Sequence, residues 1–189
     1  MQYLISFALL VALLAWVVGV YNHLVHLRSA VCKGWLHWRK TARRRNACLR
    51  DFVRVFAPAV PVNDPLPRSL LRLAADSEHS LTLADTPRWG RSHAFLGGAE
   101  HLLRMAIIQS LRMAETSSAG LADAQLATLC SRLSASLGQQ DEAAELFNRA
   151  VREYNTALAV PSARLLAPVF GFAAAESLEP PQMQHARSS

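Results

Sequence analysis

Arg39, Lys40, Arg43, Arg44 and Arg45 crowd five cationic side chains into one short stretch, the densest concentration of chemistry in the chain. Such a run attracts anions. Near a membrane surface each basic side chain contributes about 1 kcal/mol of attraction to acidic lipid, within a Debye length; an acidic protein would be drawn the same way. The basic excess is local, because Arg28, Lys33, Arg50 and Arg54 extend the same segment while Asp51 is its one acid. The net charge of +6 therefore describes this segment and not the whole surface. No nucleic-acid partner is expected, since no recognised binding module surrounds the run.

Other groupings are poorer. His23 and His26 share a helix face with Cys32 and His37 further along, but no carboxylate completes a ligand set and no metal is expected. Glu100-His101 lacks the spacing of a zinc-protease helix, and Gly97-Gly98 lacks that of a phosphate-binding loop. No nucleophile elbow or Cys-His arrangement is present. The chain reads as noncatalytic and free of cofactors. Cys32, Cys48 and Cys130 form an odd set without paired spacing, which fits a reducing compartment and small apolar helix positions.

These residues hang on helices. From Tyr3 to Tyr21 the chain reads YLISFALLVALLAWVVGVY, and Arg28 is its first charged side chain. Helical, that run spans about 28 Å, close to the thickness of a bilayer's hydrocarbon core. Tyr3, Trp16 and Tyr21 suit its interfaces. A secretory signal would need a basic start, a shorter apolar run and a small-residue cleavage site, and none is present. Residues 1–22 are thus expected to be a retained single-pass anchor. Basic residues on its C-terminal side place that side in the cytoplasm and the N-terminus outside.

Beyond the anchor, Leu24, Leu27, Val31, Trp35, Trp38, Ala42, Leu49, Phe52, Val53 and Phe56 recur at helical steps with no proline before Pro58. One rod of roughly 50 residues follows. Four prolines between 58 and 67 end it, and Asp64-Pro65 is a good start for a second helix carrying Leu66, Leu70, Leu71, Leu73 and Ala74. A third helix is predicted over 92–115 and a fourth over 121–159, the latter with a seam of Phe147, Val151, Tyr154 and Leu158. The fold class is all-α: a transmembrane helix running into an antiparallel, four-helix-type bundle of long helices over 23–175, with a disordered tail at 176–189.

Three stretches resemble the LemA family of bacterial membrane-anchored proteins. They are Tyr21-Asn22-His23-Leu24-Val25 after the anchor, the basic ARRRNACLRDFV segment that includes Arg44 and Arg45, and FNRAVREYNTALAVPSARLLAPVFGF from Phe147 to Phe172. In the last, Phe147, Asn148, Val151, Tyr154, Asn155, Pro161 and Gly171 fall at the family's spacing. Arg50 stands where the family usually has proline, and the middle, 86–120, matches poorly.

The resemblance implies a bacterial inner-membrane protein with a helical bundle and no established biochemical activity. Asn155 reads as a helix-surface or tail-anchoring hydrogen bonder, and Leu165, Leu166, Val169, Phe170 and Phe172 form a tail that can fold back on the bundle. The function expected is that of a noncatalytic scaffold or interaction module that spans the lipid bilayer and binds a protein partner. The alternative is a sensor of anionic lipid acting through Arg39–Arg45.

Overall fold

The computed structural model describes residues 1–61, 63–83, 87, 89, 94–117 and 123–178. Helix α1 runs unbroken from Gln2 to Phe56. It ends where Pro58 enters a short 3-10 turn, Ala57–Ala59, since a proline inside the helix would remove a backbone donor. Helix α2, Leu66–Leu83, starts with the Asp64 carboxylate accepting the Leu66 amide at 2.8 Å, which satisfies one of the orphan donors of its first turn. Helices α3, Ala94–Ser117, and α4, Asp123–Ala159, follow. Pro161 holds Val160 extended (ψ 134°), which stops α4 and opens the six-residue α5, Pro161–Leu166.

The described chain is all-helical; its one β-type contact is an isolated antiparallel bridge between Trp89 and Ala175. From Tyr3 onward α1 is long and apolar enough to cross a membrane, and its apolar stretch is unburied by protein. Burial starts at Leu24, 1% exposed.

Beyond that point α1 lies along α4 in the opposite direction. Gly34 meets Phe147, and further on Arg45 meets Gln140. A Cβ at Gly34 would sit 3.2 Å from the Phe147 Cα, so this glycine permits the close approach.

Two apolar clusters form the interior. In one, Leu24, Val31, Trp35, Trp38 and Ala42 of α1 pack with Phe147, Val151 and Tyr154 of α4 and with Phe172 of the C-terminal segment. In the other, all four long helices contribute: Leu49, Phe52 and Phe56 from α1, Leu70 and Ala74 from α2, Leu103 and Ile107 from α3, and Leu129 and Leu133 from α4. Each fully buried side chain of this size contributes about 1.5–3 kcal/mol. The Trp35 and Trp38 rings stack at 5.2 Å within the first cluster, as core packing expects.

Two expectations shift. Residues 176–178, expected within the disordered tail, belong to the fold, where the Leu178 amide donates to Asn148 Oδ1 at 2.8 Å. Residues 179–189 lie outside the described residues, as do 90–93 ahead of α3 and 118–120 after it. The fold-back of the C-terminal apolar residues is partial: Phe172 is buried, whereas Leu165 and Val169 are 76% and 75% exposed.

Candidate functional site

Between the two apolar clusters lies a polar layer with a contribution from every long helix. Arg45 and Asn46 come from α1, Ser77 from α2, Glu100 from α3 and Gln140 from α4. Arg45 is 1% exposed. Its Nη1 donates to Glu100 Oε2 at 2.6 Å and also to Gln140 Oε1. Its Nη2 donates to Asn46 Oδ1 at 2.7 Å, to Ser77 Oγ at 3.3 Å and to Glu100 Oε1 at 3.3 Å. Glu100 accepts further bonds from Ser77 Oγ at 2.6 Å and Gln140 Nε2 at 2.8 Å, and Asn46 Nδ2 donates to Ser77 Oγ at 3.1 Å.

Burial works to raise the Glu100 carboxyl pKa, but the Arg45 charge and the bonds from Arg45, Ser77 and Gln140 outweigh it and hold it below the usual carboxylate range. The layer is a closed ion pair whose donors and acceptors are used on one another.

This divides the basic run. Arg45 is withdrawn from any lipid or acidic partner, because its guanidinium is committed to Glu100 in the protein interior. Arg39 is also buried, at 7% exposure. Lys40, Arg43 and Arg44 remain exposed and line a shallow ledge on α1 with Leu36 and Ala47. Counting charges along the sequence misses this, because Arg44 and Arg45 are neighbours in sequence yet about 100° apart around the helix. Glu100 and Gln140 carry no local signal of their role; what is visible in advance is only that Arg45 falls at an inward step between Ala42 and Leu49.

The residues of the C-terminal stretch converge on one task. The Tyr154 hydroxyl donates to the Ala173 carbonyl at 3.0 Å, and burial raises its pKa so that it remains a donor. Asn155 Nδ2 donates to the Ala175 carbonyl at 2.7 Å while its Oδ1 accepts the Ala175 amide at 2.9 Å, as a neighbouring strand would. Asn148 takes the Leu178 amide.

Gly171 makes the turn into this segment at φ +68°, a conformation that favours glycine. Trp89 meets the Tyr154 ring edge-on at 5.3 Å, and the Arg28 guanidinium lies 4.8 Å from the Trp89 centroid. Asn155 thus anchors the C-terminal segment, one of the two roles its position left open. Phe147 and Val151 are core, and Tyr21 contacts Phe170 and Phe172 at 5.1 and 5.8 Å. Asn22 is exposed.

Among the described residues no three His, Cys, Asp or Glu side chains gather in a way that could hold a metal ion. His23, His26 and His37 are exposed. Cys32, Cys48 and Cys130 are in no disulfide, and burial raises the Cys48 pKa, leaving it a poor nucleophile. The chain matches no family model and no curated protein.

Proposed function

We propose that this chain is a noncatalytic scaffold: an antiparallel, four-helix-type bundle tethered through α1 to the bacterial inner membrane, with its N-terminus outside and the bundle in the cytoplasm, presenting exposed helix faces to a protein partner. The resemblance to the LemA family belongs to this reading. The observation that carries it is the closure of the polar layer. Arg45, Glu100, Ser77 and Gln140 answer one another, so the best-connected ionic group serves the fold. The apolar length of α1 and the basic residues that follow it support the membrane placement.

The test is topological. A reporter active only outside the cytoplasm is fused after residue 60 and again after residue 189 of the chain produced in bacterial cells. Silence at both positions, with the protein in the membrane fraction, is the expected result; activity at both would place the bundle outside and overturn the orientation.

The second reading, an anionic-lipid sensor, is narrowed to Lys40, Arg43 and Arg44, the members of the run that remain exposed. Arg43 lies about 33 Å along the helix beyond the anchor, further than a Debye length from the lipid unless α1 tilts strongly. Full chain in vesicles of zwitterionic and anionic lipid, with and without Lys40→Gln, Arg43→Gln and Arg44→Gln, separates the readings: unchanged accessibility of this face to a charged aqueous probe excludes the sensor.

A further inference from the structure

We infer that the segment Pro161–Phe172 is a second membrane contact, a foot that sets Leu165, Val169 and Phe170 into the headgroup layer beside the exit of α1. The inference rests on the reading of α1 as a spanning helix.

The segment has two faces. Ala163, Ala167 and Phe172 point inward, at 4%, 8% and 9% exposure. Leu165 at the end of α5 and Val169 in the turn after it are 76% and 75% exposed, and Phe170 beside them is 42% exposed. Exposed Arg164 borders them, and a long basic side chain at a lipid boundary can reach phosphates while its stem covers apolar surface. Three large apolar side chains on one short segment are costly in water and fitting at a lipid boundary, where aromatic rings also concentrate.

Their position selects the occupant. Phe170 lies 5.1 Å from the Tyr21 ring, centroid to centroid. Tyr21 closes the apolar run of α1, and protein burial begins one turn later at Leu24. The exposed apolar surface of Val18 and Tyr21 therefore continues directly onto Phe170. α4 brings the chain back to this level, and the Gly171 turn with the Asn155–Ala175 bonds holds the segment there. A lipid surface touching the last turn of the anchor would touch the foot as well. Two contacts on one leaflet would fix the angle at which the bundle leaves the membrane.

The full chain is produced in bacterial membranes with a photoreactive benzophenone side chain replacing Val169, and separately replacing Leu165, Val11 or Leu36. Leu36 is exposed on α1 well beyond the exit. Lipid adducts at positions 11, 165 and 169, with none at 36, are expected. Lipid adducts at 11 combined with protein adducts or no adduct at 165 and 169 would overturn the foot and leave the anchor standing. Absence of lipid adducts at 11 would overturn both. Positions 165 and 169 are exposed, so neither replacement disturbs packing.

Discussion

Arg45 and Glu100, 55 residues apart in sequence, form a nearly buried ion pair between the two apolar clusters, with Nη1 to Oε2 at 2.6 Å. The pair sits where the apolar seam between α1 and α4 would otherwise be continuous, with Trp38 and Ala42 on one side and Leu49 and Phe52 on the other. Desolvating two ions offsets much of their attraction, so such a pair contributes little net stability, yet breaking it is expensive. Its geometry also favours one register, because sliding any long helix by a turn strands a charge or an amide in apolar surroundings.

Removing one partner is therefore predicted to cost far more than removing both. Glu100→Ala leaves the Arg45 cation buried and should destabilise the protein by about 3–5 kcal/mol. The double variant Arg45→Met with Glu100→Leu should recover much of that loss. Chemical denaturation of the full chain in detergent micelles checks this; equal losses in the single and double variants would show that the pair is not isolated within the layer.

The same carboxylate gives the protein an acid limit. Glu100 titrates at about 4.3 when unfolded, and lower when folded. Between those values the unfolded chain binds more protons, so stability rises with pH; the contribution is present above the unfolded value and disappears as pH falls through the folded one. Thermal unfolding midpoints measured from neutral to acidic pH should fall less steeply for Glu100→Gln than for the parent, although the variant starts lower. Parallel curves would contradict the assignment.

The C-terminal clasp should fail locally. Asn155→Ala removes both bonds to Ala175 and is predicted to cost about 1–3 kcal/mol. Gly171→Ala forces a Cβ into a left-handed turn for roughly 1–2 kcal/mol. Hydrogen exchange should speed up at the Ala175 and Leu178 amides in either variant while the amides around Leu49 and Leu133 keep their protection. Uniform acceleration would mean that the clasp and the helical core open together.

Glycines in α1 and α3 should respond with opposite sign. Gly34→Leu drives a side chain into the Phe147 backbone and should destabilise by about 1–3 kcal/mol. Gly98 is exposed with nothing near its Cβ position, so Gly98→Ala should stabilise α3 by about 0.5–1 kcal/mol. Thermal melts of the two variants against the parent read both.

Much of the fold was legible because it is periodic or punctuated. Pro58, Asp64-Pro65 and Pro161 act through local backbone geometry, so they mark helix ends wherever they stand. The apolar steps of α1 and α4 identify core positions such as Trp35, Phe52, Phe147 and Tyr154. The role of Asn155 was legible only in part: its place at the end of a seam left a helix-surface or a tail-anchoring bond open, and the contact with Ala175, 20 residues on, decides between them. The polar layer was not legible, because Ser77, Glu100 and Gln140 are ordinary polar residues whose meaning arises when three helices bring them to one guanidinium.

The sequence by itself therefore determined an all-helical chain, an apolar N-terminal helix long enough to cross a bilayer, and the residues that face inward, since each follows from local sterics and the 3.6-residue period. Tertiary structure alone decided which cations remain available. Arg43 and Arg44 face solvent and Arg45 does not, because burial depends on the other helices that pack against a position and on whether they carry a partner for its charge.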